Sequence, residues 1–293
     1  MTKRKIILTV LSFLIIIGLL AGCNAKKDPP GNSNAPDNGV MDRSDRIYAQ
    51  FQGLVDNGTD VQELINFLDL NISEVSKPYA TRMVNDFIVF LEKNMTDIPA
   101  GLTNYSYEKL KDHENIEDKY IREYMERVSV EFYSLIAPEG MVDIIIDYGL
   151  LYKRYGKYPE DSISEYLRIR ALETETPFGM DGGVAISIGE LAERISDTDK
   201  MIIAYPEHLY MEQANTLFNR YMYAYMGMYP NTPGFDALTG RIYDEFLENY
   251  RHSVAEYPGT RFSAIITRYL ELLEESDYMK TDEIMGFVVN VLF

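Results

Sequence analysis

Three histidines, His113, His208 and His252, each stand four residues before a glutamate, at Glu117, Glu212 and Glu256. On a helix that spacing puts both side chains on one face, where they could share a proton or a divalent cation. Surface pairing within a helix needs the same spacing, and it is the plainer reading. A zinc site would require two of these distant histidines to converge, because the chain has no His-Glu-x-x-His run. The loop Thr176-Pro-Phe-Gly-Met-Asp-Gly-Gly183 offers other chemistry. Its glycines could let backbone approach a ligand, and Asp181 could contribute one carboxylate to calcium, though a turn requires the same residues. Tyr221-Met-Tyr-Ala-Tyr-Met-Gly-Met-Tyr229 packs four of the 23 tyrosines into one segment. It reads as a buried helix, or as a groove wall in which Tyr221 and Tyr225 grip a ligand.

Glu275-Ser276 resembles the catalytic Glu-Ser of lysozyme-like lytic transglycosylases. Those enzymes set a glutamate of raised pKa beside a Gly-rich segment, whereas here Asp277-Tyr-Met-Lys-Thr-Asp282 follows, so Glu275 is expected to be a solvated acid at a helix end. No nucleophile elbow or phosphate-cradling glycine loop occurs in the sequence. No catalytic residue and no cofactor is expected, and an enzyme is the less favoured class.

The only cysteine, Cys23, carries a sharper signal. Lys3, Arg4 and Lys5 precede an uncharged run from Ile6 to Gly22, the layout of a secretory signal peptide. The run closes on Leu20-Ala21-Gly22-Cys23, which resembles the lipobox of bacterial lipoproteins. The resemblance covers residues 1–23 and implies cleavage before Cys23 and a diacylglyceryl group on its sulfur. Two acyl chains hold a protein at a bilayer surface where one does not. The expected location is therefore the extracytoplasmic face of the cell membrane, lipid-anchored.

Residues 24–40 are rich in Pro, Gly, Asn and Ser and nearly free of apolar side chains, the composition of a disordered tether reaching about 20–25 Å. The full chain has 28 basic and 46 acidic residues, −18; removal of residues 1–22 takes away three basic residues and leaves 25 against 46, or −21. Such a body is repelled by anionic lipid and by nucleic acid phosphates, so the tether must supply the membrane affinity.

From residue 41 to 293 the pattern is helical and the expected class is all-α, with about eleven or twelve helices packed as antiparallel hairpins. Apolar residues recur at helical spacing over Ile47–Val55, Tyr79–Phe90, Tyr120–Leu135 and Leu238–Val254. Thr59 with Gln62, Ser162 with Glu165, and Ser187 with Glu190 read as capping boxes, and Pro138, Pro206 and Pro233 suit first turns. Ile144–Ile146 and Met201–Ile203 are too short to stand as strands by pattern alone. Tyr-Pro pairs at 158, 205, 229 and 257 mark helix ends, predicting hairpins of Asp143–Tyr158 with Ser162–Leu172 and of Phe235–Tyr257 with Thr260–Glu275. The C-terminal half looks similar to the stacked helix pairs of tetratricopeptide-type envelope lipoproteins, which implies a solenoid-like arrangement. The irregular Tyr-Pro intervals depart from a 34-residue period. A subdivision into 41–137 and 138–293 is one domain arrangement open to such a chain.

An anchor and a helical body without a catalytic set lead to the expectation of an interaction or scaffold module with an envelope protein partner. A solute-binding lipoprotein shares the anchor but usually alternates strands and helices. A metal-dependent or cell-wall hydrolase would need the distant His and Glu residues to meet in one cleft.

Overall fold

The computed structural model describes residues 42–95 and 98–293, so the expected signal peptide, Cys23 and the expected tether lie outside the described residues. Twelve α-helices occur among the described residues, together with three short antiparallel strand pairs, and the fold is all-α. Residues 41–293 form one unit by contact. Among the described residues no helix is long and apolar enough to cross a membrane.

The N-terminal helices α1 (Arg43–Asp56), α2 (Val61–Asn71) and α3 (Lys77–Asn94) pack mutually through Phe51, Leu64, Leu68, Met83 and Phe87, all fully buried. The cap of α2 is Asp60, which accepts from the Gln62 N–H at 2.8 Å, and not the Thr59 expected from its spacing. A carboxylate one residue further on wins because it is itself a strong acceptor for the open first turn. After α4 (Tyr107–Lys111), α5 (Lys119–Val130) buries Ile121, Tyr124, Met125 and Val128 as its stripe requires.

The stripe does not continue to Leu135. Phe132 takes a left-handed φ of 65°, which ends the helix, and the chain turns into β1 (Tyr133–Ile136). β1 pairs with β2 (Asp143–Ile146) in the register Tyr133 to Ile146 and Leu135 to Ile144, so the Ile triplet is a strand after all. Its partner lies ten residues away, and pairing satisfies its backbone while Ile144 and Ile146 reach the core. The alternative subdivision at 137/138 would cut this hairpin.

Three helix hairpins follow: α6 (Tyr148–Tyr155) with α7 (Asp161–Glu175), α8 (Ile188–Ala204) with α9 (Met211–Tyr225), and α10 (Asp244–Glu256) with α11 (Arg261–Glu275), before α12 (Asp282–Leu292). Several expected boundaries move. α6 starts after β2, and α7 starts at Asp161 with Glu160 before it, which places Ser162 inside the first turn. α9 stops at Tyr225, so the tyrosine-rich segment is not one helix: Gly227 adopts φ +78° and Met228–Tyr229 form β5, paired with β6 (Thr232–Pro233). Pro233 is thus a strand residue; Pro138 opens a single 3-10 turn, and Pro206 follows Tyr205, the C-cap of α8. Tyr257 likewise caps α10, whereas Tyr229-Pro230 lies in the β5–β6 hairpin. Residues 235–242 are not helical; Phe235 pairs with Ile242, and Leu238 at the tip is 96% exposed.

The Ser187 cap holds, its Oγ accepting from the Glu190 N–H at 3.1 Å. α8 packs against α7, α9, α10 and α11, which makes it the centre of this half rather than one rung of a nearest-neighbour stack.

Candidate functional site

α8 carries two charges within its buried stripe, Arg194 and Asp199. Burying an ion is costly unless partners replace its water. Asp199 is answered by α11, accepting from the Phe262 N–H at 3.0 Å and from Arg261 Nε at 3.1 Å. Arg194, 4% exposed, is answered by the end of α7 and by its own helix: Nη1 donates to Glu173 Oε1 at 2.6 Å and to the Thr176 carbonyl at 2.8 Å, and Nη2 donates to Glu190 Oε1, on α8, at 2.7 Å. Burial pulls the guanidinium pKa down, but these carboxylates outweigh it and the net direction is up. Tyr221 Oη donates to the same Glu173 oxygen at 2.7 Å, and the Phe178 N–H donates to Glu173 Oε2 at 3.2 Å. Burial first, then the Glu173 charge, pushes the Tyr221 phenol well up.

This network fixes the base of the 176–183 loop. Beyond it, β3 (Gly179–Met180) and β4 (Gly183–Val184) are joined by Asp181-Gly182, whose φ values of 51° and 71° are those of a two-residue hairpin turn, for which Asp-Gly is a preferred pair. Asp181 Oδ1 accepts from the Glu139 N–H in the β1–β2 loop. The Asp181 carbonyl accepts from Asn231 Nδ2, the Gly182 carbonyl from the Asn231 N–H at 3.0 Å, and Thr232 Oγ1 from the Val184 N–H at 2.9 Å. Three hairpins are thereby stitched together. Gly179 packs closely here, and a Cβ on it would meet Tyr229 Cε2 at 3.0 Å.

Two clefts open at this junction. One, about 360 Å³, is walled by Ile136, Pro138, Met141, Met180, Arg220 and Tyr229. Met141 and Met180 stand 67% and 47% exposed beside it. The other, about 370 Å³, runs between α7 and α9 and is lined by Arg170, Glu173, Glu212, Gln213, Thr216 and Arg220. Arg220 belongs to both, with its guanidinium 5.5 Å from the centroid of the Phe178 ring. Tyr229 is raised by burial, against the charge and hydrogen bond of Arg220. An apolar trough beside an accessible guanidinium is suited to binding.

The expected site residues fall in different places. Asp181 is at the junction, as a hairpin turn. Tyr221 lies behind it and is fully buried, with its ring 4.8 Å from Phe178. Tyr225 faces another cluster altogether, bonded to Ser253 Oγ at 2.7 Å and packed on Tyr250 and Phe262. Both tyrosines are core, so neither is a ligand surface: their side chains are spent on internal partners.

The histidines sit in three separate environments. His113 is in a 3-10 turn that lines a third cleft with Tyr107 and Ser129; His208 is buried beside the stacked rings of Tyr166 and Tyr210; His252 is exposed on α10. His208 precedes α9, so only His252 and Glu256 share a helix at the expected spacing. Among the described residues no group of three or more His, Cys, Asp or Glu is placed to hold a metal. Glu275 is exposed and faces Arg268 Nη1 at 3.6 Å.

Arg170, Glu173, Arg194 and Arg220 were not legible as a set from sequence. Their partners lie 21 and 48 residues apart, and only Arg194, a cation within an apolar stripe, carries a signal of its own. No family model matches the chain, and neither a curated protein nor a solved structure matches it.

Proposed function

We propose that this chain is a lipid-anchored extracytoplasmic interaction module. Cys23 bears the acyl chains, residues 24–40 form the tether, and the helical body engages an envelope protein through the face where the three hairpins meet. The observation that carries the reading is the apolar cleft flanked by Met141 and Met180, two long, adaptable side chains held in water by a tightly cross-linked base. A segment of a partner lying in that cleft would cover both methionines and meet Arg220 at its far wall.

Affinity purification from gently solubilised membranes tests this. The expected result is a stoichiometric envelope partner with the wild type, lost on Met141→Asp with Met180→Asp. Recovery of the protein alone under every condition, or partner retention by the double variant, would overturn the reading.

A further inference from the structure

The cleft between α7 and α9 shares only Arg220 with the apolar trough beside Met141 and Met180. Gln213, Thr216 and Arg220 line it from α9, and their i, i+3, i+7 spacing makes one stripe of hydrogen-bond donors along that helix. Arg170 faces them from α7. We propose that this cleft binds a small molecule bearing an oxyanion, a carboxylate or phosphate, held by Arg170 and Arg220 with Gln213 and Thr216 beside them.

Charge accounting supports it. The chain carries 46 acidic against 28 basic residues, and the nearby Arg168, Arg194 and Arg261 each bind a carboxylate. Among the described residues Arg170 and Arg220 form no ion pair. Aromatic groups position them instead: Arg170 lies 4.4 Å from the Tyr148 ring centroid and donates to Tyr166 Oη at 3.2 Å, and Arg220 rests near Phe178. A guanidinium held by an aromatic face keeps edges for a planar anion. Two carboxylates line the cleft. Glu173 has both oxygens engaged from inside by Arg194, Tyr221 and the Phe178 N–H, so its acceptors are turned to internal partners. Glu212 is exposed, and its charge opposes an incoming anion in solvent.

The test is the thermal melt of the full chain in detergent, with sodium phosphate or sodium citrate as probe, against sodium chloride at equal ionic strength. At a hundredfold excess over the dissociation constant the melting temperature should rise by roughly 5–10 °C. Arg220→Gln should abolish the rise, Thr216→Glu should do so by placing a like charge in the stripe, and Glu212→Gln should tighten binding. A response to phosphate alone assigns a phosphate ligand, to citrate alone a carboxylate ligand, and to both an oxyanion as such. No rise beyond that in chloride, or a rise that survives both Arg220→Gln and Thr216→Glu, overturns the proposal. A Met141→Ser, Met180→Ser chain, which sets no charge beside Arg220, should keep the anion response, so the two proposals fail separately.

Discussion

Arg194 of α8 and Glu173 of α7 form a buried ion pair at 2.6 Å, with Tyr221 closing on the same carboxylate oxygen. Removing one partner strands the other charge out of water. Arg194→Met should therefore destabilise the fold by about 3–5 kcal/mol, and adding Glu173→Gln should recover most of that loss. Chemical denaturation of the two singles and the double measures the coupling. Equal stability of Arg194→Met and the wild type would mean that the pair contributes nothing.

Tyr225 is fully buried against Tyr250 and Phe262. Tyr225→Ala should cost about 3–5 kcal/mol through the cavity it leaves, whereas Tyr225→Phe, which removes only the bond to Ser253, should cost about 1 kcal/mol. Urea unfolding midpoints at constant slope distinguish the two. An alanine variant with an unchanged midpoint would place the ring outside the core.

Alkaline pH should unfold the protein. Burial, and next the neighbouring Glu131 charge, raises the Tyr133 phenol to about 12; burial and the bond to Asp86 do the same for Tyr48. In the unfolded chain these phenols ionise near their ordinary value of about 10. Their contribution is therefore complete below about pH 10 and is lost as pH rises through the folded-state value. Tyrosinate absorbance and helical circular dichroism, followed in one titration, should change together in that window. Full ionisation with the helical signal intact would contradict it.

Gly227 and Gly234 lie back to back at the open end of the β5–β6 hairpin, just before β5 and just after β6. A Cβ on Gly227 would fall 2.5 Å from the Gly234 Cα, at a residue whose φ of +78° already disfavours a side chain. Gly227→Ala should lower stability by at least about 1–2 kcal/mol from backbone conformation alone. Gly53→Ala, inside α1 with open space around the added methyl, is the control and should leave stability equal or higher. Thermal melts of the pair should diverge.

On the proposed anchoring, Cys23→Ala should stall processing or release the mature domain from the membrane fraction. Immunoblots of fractionated cells read this directly. Unchanged membrane retention would favour an uncleaved hydrophobic segment as the anchor.

The helices were legible where one face alone decides. The α5 stripe and the Ser187 cap are local matters, settled within one or two turns. What escaped was non-local. The Ile triplet reads as helix until β1 is laid beside it, and the tyrosine-rich segment reads as one helix until Gly227 meets Gly234. Asp181 was visible as a turn residue, but nothing near it announces Asn231 or Glu139. Nothing in the sequence sets Arg170 and Arg220 apart, because their aromatic supports Tyr148 and Phe178 come from other elements.

The bonds from Asn231 to Asp181 and from Val184 to Thr232 join residues 50 and 48 apart, with all of α8 and α9 between them. Loop closure over that distance costs entropy that only a docked α8–α9 pair can offset. The hairpin junction should thus assemble after the helical hairpin beneath it. On the proposed reading, the chain would hold its scaffold before its partner-binding face, so recognition would wait on the last step of folding.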